Sequence, residues 1–366
     1  MNTPYLLLDL DRVEEAYREL AGVLPGVDVH YAVKCNPDPR ILARLHGLGG
    51  GFEVASATEV HTLAALGVDP AGLLYSNPVK PAAHVRAAAA AGVWRFALDS
   101  TAEAAKLAAA APGSAVYVRL RTDLGGNTVP SEGKFGVDGA AAAALLRQAR
   151  ELGLRPYGIA FHVGSQMLVP EAWEAAVRQS GLVMAELARD GIALDMLDLG
   201  GGFPARYADD EPPPLKAYAE VIATALDRHL PYRPGKLAVE PGRALVADAG
   251  TMVATVIGIA ERSGRRWAHL DVGAFNGFME ALESGNRLRF PVTDSRASAR
   301  RAAFHLTGPT CDSQDTIMFD VRLSADLAVD DRVLLGAAGA YTTSYASTFN
   351  GFPVPPTVTA DDLTAS

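Results

Sequence analysis

The sequence predicts a (β/α)₈ (TIM) barrel followed by a second, mostly β-barrel domain. Three observations lead there. Eight short apolar runs alternate with Ala-rich helical stretches through the first part of the chain. After Arg243 the texture changes, and strand-like runs follow one another with few helices between them. A length of 366 residues exceeds a small single domain and suits a large α/β barrel with an addition.

The elements read in order as follows. Pro4–Asp9 reads as a strand that joins the C-terminal β domain, because chain termini are often close in space. The eight barrel strands centre on Val29–Val33, Gly51–Val54, Leu73–Ser76, Trp94–Leu98, Ala115–Leu120, Tyr157–Val163, Met196–Leu199 and Leu237–Glu240. Helical segments alternate with them, from Pro39–Leu48 and Thr58–Leu66 to Ala172–Arg189 and Leu215–Leu230. The count of eight favours a closed barrel over an open doubly wound sheet. Further strands are Val253–Glu261, Ala268–Val272, Phe304–Leu306, Ile317–Leu323 and Arg332–Leu335. This gives a barrel domain over 11–245 and a β domain made of 1–10 and 246–366. Two stretches read as long loops: Thr122–Gly136, a candidate lid on the catalytic side of the barrel, and the polar Pro291–Arg301.

Composition bounds the function class. The net charge of -9 argues against nucleic acid or an anionic membrane as a general partner. Two cysteines, Cys35 and Cys311, fit free thiols in a reducing cytoplasm. The N-terminus lacks the basic region of a signal peptide, and no apolar run is long enough to span a membrane.

Active sites of such barrels lie at the C-terminal strand ends. Those ends carry Lys34, Glu53 to Ser56, Asn77, Asp99, Arg119, His162 to Ser165, Gly200 to Gly202, and Glu240 to Arg243. A lysine at a barrel mouth is expected to have a lowered pKa, and its neutral amine condenses with an aldehyde. A solvated lysine explains the position equally well. Gly200–Gly202 and the Glu-Pro-Gly-Arg run ending at Arg243 follow strands seven and eight, the usual phosphate corner of this fold. Backbone N–H groups and a guanidinium suit an anion there. Glu240 beside that corner suits a pyridine nitrogen, which a carboxylate keeps protonated. A structural salt bridge from Glu240 to Arg243 or Arg119 is the plainer alternative. His162 alone carries little weight, since an imaginable ring-stacking role competes with an ordinary core histidine. Cys311 beside Asp312 offers a proton donor and a ligand for a cationic substrate group, or simply a turn.

Taken together, YAVKCN, GFEVAS, LYSNPVK, FALDS, FHVGSQ, LDLGGGFP, EPGR, GPTCDSQD and GAYT…STFNGF resemble the ornithine/diaminopimelate decarboxylases. These are pyridoxal 5'-phosphate (PLP) enzymes of fold type III, the alanine-racemase-like fold. The motifs stand in family order over nearly the whole chain. The resemblance implies a homodimer with shared active sites, a small amino-acid substrate and no metal. It implies Lys34 as the residue covalently linked to the cofactor, Glu240 at the pyridine nitrogen and His162 on the ring face. Ser165, Gly202, Gly242, Arg243 and Tyr341 would hold the phosphate, with Glu53 and Arg119 near the cofactor. Cys311 and Asp312 would reach into the other subunit's site, Cys311 to protonate Cα and Asp312 to bind the distal ammonium, and Phe349 would line the substrate pocket.

GPTCDSQD is closer to the ornithine decarboxylases than to the diaminopimelate branch, where Cys-Glu-Ser is usual. One departure is LDVGAFNGF, with Val272 before the glycine and Asp271 one place earlier, where many eukaryotic members have Asp-Gly. The reading is therefore conversion of L-ornithine to putrescine, with L-lysine, diaminopimelate or another diamino acid as alternatives. An alanine racemase usually places an arginine where Glu240 stands. A non-catalytic antizyme-inhibitor-like relative would lack the cofactor residues.

Overall fold

The computed structural model describes residues 2–122, 127–129 and 133–364. Its strands are β1 (Tyr5–Leu8), β2 (Asp28–Ala32), β3 (Gly51–Val54), β4 (Leu74–Tyr75), β5 (Arg95–Leu98), β6 (Ala115–Arg119), β7 (Asn127–Val129), β8 (Arg155–Ala160), β9 (Ser165–Met167), β10 (Met196–Asp198), β11 (Lys236–Val239), β12 (Gly250–Arg262), β13 (Arg265–Leu270), β14 (Val292–Asp294), β15 (Arg301–Thr307), β16 (Thr316–Ser324), β17 (Arg332–Leu335) and β18 (Thr357–Val358).

Local signals set the βα units. Ser56 and Ser100 each end a strand loop and accept the backbone N–H of the glutamate three residues on, Glu59 and Glu103. That contact stops the strand and starts the helix, because it satisfies a donor the first helical turn leaves open. Asp38 and Asp138 cap the helices Pro39–Gly47 and Gly139–Glu151 in the same way. The barrel strands are apolar on both faces, as parallel strands covered by helices must be.

Eight parallel strands close in the order β10-β11-β2-β3-β4-β5-β6-β8, so the (β/α)₈ barrel predicted from the alternation is present. Its interior is filled by Leu74, Ala97, Tyr117, Ala160, Met196 and Ala238, small residues making room for Tyr117 and Met196. A much larger core fills the space between strands, helices and second domain.

The second domain is mostly β. Its sheet runs β14-β17-β12-β13-β15-β16, with β1 antiparallel on β12 and β18 parallel on β1. The N-terminal strand thus lies in the C-terminal sheet. Among the described residues no backbone ladder joins β14 to β16. The Asp294 carboxylate does so instead, accepting Ser324 N–H at 2.9 Å and Ser324 Oγ–H at 2.6 Å.

Two loop expectations change. Pro291–Arg301 contains β14 and the first residue of β15, because Val292–Asp294 finds an antiparallel partner in β17 that local sequence cannot show. Within Thr122–Gly136, β7 pairs antiparallel with β9, while the remainder of that candidate lid at 123–126 and 130–132 lies outside the described residues. Among the described residues no helix is long and apolar enough to cross a membrane.

Candidate active site

Lys34 lies in a single 3₁₀ turn, Val33–Cys35, that follows β2. The turn is pinned on both flanks. Tyr31 Oη–H donates to the Asn36 carbonyl at 2.9 Å, and Asn36 Nδ2–H donates to the Gly339 carbonyl at 2.8 Å. The fixed backbone leaves the lysine side chain 47% accessible, facing Glu53, which is 1% accessible on β3. Lys34 Nζ donates to Glu53 Oε2 at 2.5 Å. Burial pulls the lysine pKa down, but Glu53 and Glu240 together outweigh it and hold the amine above its ordinary value. This corrects the expectation of a lowered pKa. The strand-end position indeed desolvates the amine, yet the cavity brings two carboxylates to it.

Glu240 follows β11, and its Oε1 accepts a hydrogen bond from Ser76 Oγ. Ser76 Oγ is in turn 2.8 Å from Tyr117 Oη, so the tyrosine donates to the serine and the serine to the carboxylate. Burial first, then Asp198 and Glu53, push the Glu240 pKa well up. Asp198, fully buried and accepting Gly200 N–H at 2.9 Å, is also pushed up, mainly by burial. Each of these adjacent buried carboxylates raises the other's affinity for a proton. The salt bridge considered between Glu240 and Arg243 is not formed.

His162 stands two residues beyond β8, in a loop held by Thr122 Oγ1–H donating to its carbonyl at 2.6 Å. Its Nδ1 accepts Gly164 N–H at 2.9 Å, which leaves the proton on Nε2. Burial, then Arg119 and Lys34, lower its pKa to about 3, so the ring is neutral at working pH.

The glycine corner forms an enclosed cup lined by Lys34, His162, Ser165, Gly202, Glu240, Gly242, Arg243 and Tyr341. Gly202 has φ +113°, and a Cβ there would meet the Gly164 carbonyl oxygen at 2.5 Å, so the position requires glycine. Arg243, 3% exposed, donates through Nη1 to Tyr207 Oη at 2.7 Å and to Glu280 Oε2 at 3.0 Å. Its Nη2 donates to Glu280 Oε1 at 2.5 Å and to Ser165 Oγ at 3.0 Å. Its Nε is buried without a hydrogen-bond partner among the described residues. The guanidinium also lies 5.1 Å from the centre of the Tyr341 ring.

Beside the cup opens a cavity of about 320 Å³, lined among others by Lys34, Glu53, Ser76, Arg119, His162, Ser165 and Glu240. The structure therefore gathers Lys34, Glu53, Arg119, His162, Ser165, Gly202, Glu240, Gly242, Arg243 and Tyr341 around the cup and cavity, whereas Asp99 stands aside and accepts Gly136 N–H at 2.9 Å. It does not bring Cys311, Asp312 or Phe349 to that cavity. Cys311 and Asp312 are exposed on the turn after β15, with Asp312 Oδ1 accepting Gln314 N–H at 2.8 Å. Phe349 is 43% exposed and packs on Phe275, ring centres 4.8 Å apart. Asp271, one place before the position where many eukaryotic members carry Asp, accepts Thr255 N–H at 2.8 Å within the second domain.

Sequence reasoning missed Glu280, Tyr207, Asp198 and the Ser76–Tyr117 relay. Only Glu280 had a signal, a lone acid in the apolar run FNGFMEAL.

The arrangement fits pyridoxal phosphate. An anion cup whose glycine admits no Cβ and whose arginine keeps an N–H unpartnered among the described residues adjoins a cavity holding Lys34 and a buried glutamate with a raised proton affinity. Residues 10–247 match the family model for the pyridoxal-binding domain of pyridoxal-dependent decarboxylases. The chain belongs to that family. It is 37% identical over 361 residues to the lysine/ornithine decarboxylase of Selenomonas ruminantium, covering 98% of this chain and 90% of the relative. The lysine/ornithine decarboxylase of Vibrio vulnificus, solved with putrescine, superposes with a TM-score of 0.89 at 34% identity, covering 98% and 95% of the two chains. The arginine decarboxylase of Paramecium bursaria Chlorella virus, solved with agmatine, gives 0.91 at 26% identity, covering 98% and 97%. The chain is a PLP-dependent decarboxylase of basic amino acids.

Proposed function

We propose that the preferred substrate is L-ornithine, giving putrescine and CO₂, and that the enzyme works in the cytoplasm as a homodimer with shared active sites. Supporting the dimer is the separation just described. The barrel cavity contains an amine, an anion cup and a buried acid, yet it lacks the thiol and carboxylate of the Cys311–Asp312 turn, which stand exposed elsewhere on the chain. A second copy is the natural source of that turn. The division into a barrel domain, 11–245, and a β domain, 1–10 with 246–366, belongs to the same proposal, the latter reaching the other subunit's cavity.

In this reading Lys34 is the amine that holds the cofactor covalently. Ser165, Gly202, Gly242, Arg243 and Tyr341 hold its phosphate, Glu240 its pyridine nitrogen and His162 its ring face. When bound, PLP supplies the electron sink for the pair left at Cα as CO₂ departs. The protein residues do the rest. Glu240, whose affinity for a proton is raised by burial and by Asp198, would be the hydrogen-bond partner of the ring nitrogen. Neutral His162 packs without adding a cation that would oppose a proton on the ring nitrogen. Glu53 holds Lys34 Nζ in place, and Arg119 lines the same wall. Asp312 of the partner subunit binds the distal ammonium, Phe349 of the partner subunit covers the methylene chain, and Cys311 of the partner subunit returns a proton to Cα.

The test is CO₂ release from PLP-loaded protein with L-ornithine, L-lysine, L-arginine and meso-diaminopimelate in parallel. Preference for ornithine supports the proposal. Preference for lysine or another member keeps the decarboxylase and revises the pocket around Asp312.

A further inference from the structure

Three segments of the second domain meet at one exposed rim: the turn 308–315 carrying Cys311 and Asp312, the loop 272–278 carrying Phe275, and the segment 347–353 carrying Phe349. Each is a loop, and loops left to themselves hold side chains loosely. Here one buried carboxylate joins the first two. Asp315, with 0% of its surface accessible, accepts Ala274 N–H at 2.7 Å through Oδ1 and Thr310 N–H at 2.9 Å through Oδ2. Its own backbone closes the turn, the carbonyl accepting Gly308 N–H at 2.8 Å and the amide donating to the Asp312 carbonyl at 3.1 Å.

The packing leaves no slack. A Cβ on Gly273 would meet Asp315 Oδ1 at 2.1 Å, and one on Gly308 would meet both carboxylate oxygens at 2.4 Å. Both glycines are there so that two backbones can close on this side chain. The third segment is then tied to loop 272–278. Ser347 N–H donates to the Phe275 carbonyl at 2.8 Å, and Asn276 Nδ2–H donates to the Pro353 carbonyl at 3.2 Å. Asn276 Oδ1 accepts Gly273 N–H at 2.8 Å, beside the Asp315 contact. Finally Asn350 Nδ2–H reaches Cys311 Sγ at 3.3 Å, which closes the circuit.

We propose that Asp315 is a positioning residue for the decarboxylation: through Ala274 and Thr310 it holds Cys311 and Asp312 in register with Phe349 as one rigid unit. This rests on the proposed function, in which those three side chains serve a cavity on another copy of the chain. Asp315 does not touch substrate. It sets where the thiol and the distal carboxylate stand, and a misplacement of about 1 Å at such groups costs roughly 10²-fold in rate.

The test is Asp315→Asn, which keeps shape and one acceptor but turns an NH₂ toward one of the two N–H donors. The proposal expects PLP absorbance and elution volume as in the wild type, kcat reduced about 10²-fold and KM for the diamino acid raised. Mixing with Lys34→Ala separates the roles. Hybrids of Asp315→Asn with Lys34→Ala regain one unimpaired site and recover activity, whereas hybrids with Cys311→Ala do not, because both defects then lie on the same face. Loss of PLP absorbance or of the oligomer in Asp315→Asn overturns the proposal, making the residue a general fold element. Unchanged kcat and KM also overturn it. The control mixture of Cys311→Ala with Lys34→Ala tests the shared-site reading by itself. If that mixture does not recover, the shared-site reading and the positioning role fall together; if it recovers while Asp315→Asn with Lys34→Ala does not, the positioning role alone is overturned.

Discussion

Replacing Glu280 by alanine would expose how the second domain supports the anion cup. Arg243 and Glu280 are 3% and 6% accessible at their side chains and meet through two hydrogen bonds, 2.5 and 3.0 Å long. Burial pushes the Glu280 pKa up against the pull of Arg243, while the guanidinium stays charged well beyond neutrality. Removing one member of such a pair leaves an uncompensated buried charge, at a cost of about 3–5 kcal/mol. Tyr207 and Ser165 remain, but neither carries a compensating charge. The loss should be largest in the apoprotein. In PLP-loaded protein the cofactor's phosphate would face the same guanidinium and return part of it. The assay is urea denaturation of apo and loaded forms, wild type against Glu280→Ala and the near-isosteric Glu280→Gln. Expected is a midpoint drop in the apo alanine variant, a smaller drop on loading, and an intermediate glutamine variant. A cost under about 1 kcal/mol, the range of an exposed pair, would refute the reasoning, as would an equal cost in both forms.

Four further outcomes follow. Lys34→Ala should abolish the covalent cofactor absorbance and lower turnover by at least about 10³-fold, measured by CO₂ release after dialysis against PLP. Gly202→Ala should weaken cofactor retention, because φ +113° and the 2.5 Å approach to the Gly164 carbonyl force the loop to shift; equilibrium dialysis of PLP reads this. His162, with its pKa lowered to about 3, should give no ionisation limb between pH 5 and 8 in kcat, and its imidazole NMR shifts should stay constant there. Lys80 is buried against Glu103 at 3.0 Å with its pKa lowered to about 8 from 10.5. The unfolded chain therefore binds more protons across that window, and stability should rise from about pH 8 to 10.5 by roughly 3 kcal/mol on this account. Lys80→Met should flatten that slope in urea midpoints.

The fold was legible because each barrel unit repeats an apolar run followed by a helical stretch, and Asp38, Ser56, Ser100 and Asp138 cap four of those helices. Ser56 and Ser100 are visible in the sequence and do in the structure what their spacing from Glu59 and Glu103 implies. The strand at Val292–Asp294 was not legible. Three residues amid PVTDSRASARR have no pattern, and only pairing with β17 and the Asp294–Ser324 bridge make them a strand. The same division holds at the site. Lys34, His162, Glu240, Gly202 and Arg243 stand at strand ends, so barrel topology alone predicts their convergence. Glu280 and Asp315 act from the other domain, and their partners Arg243 and Ala274 are 37 and 41 residues away. No periodicity connects such positions. The lysine pKa was misjudged for a related reason. Desolvation follows from the strand end, but the opposing carboxylates depend on where β3 and β11 set Glu53 and Glu240.

That distribution of carboxylates bears on how the cavity stays both empty of product and ready for cofactor. Glu53 and Glu240 face one amine and one guanidinium, Lys34 and Arg119, across a space of about 320 Å³, with Asp198 fully buried behind Glu240. If all three acids were ionised, the wall would attract any diamine, including the dicationic product expected here. Burial works against this by raising the proton affinity of Glu240 and Asp198, and Lys34 pairs with Glu53 directly at 2.5 Å. The barrel wall therefore offers no strong site for a distal ammonium. In the proposed assembly the exposed carboxylate placed for that task, Asp312, comes from outside the barrel, on a turn that Asp315 holds. Affinity for the cationic tail then depends on the partner surface, whereas the barrel's acids remain free to serve the amine and the ring nitrogen. Neutralising Asp312 as Asn should accordingly raise KM for ornithine without altering PLP retention. An equal loss of cofactor in that variant would show that the two faces are not separable in this way.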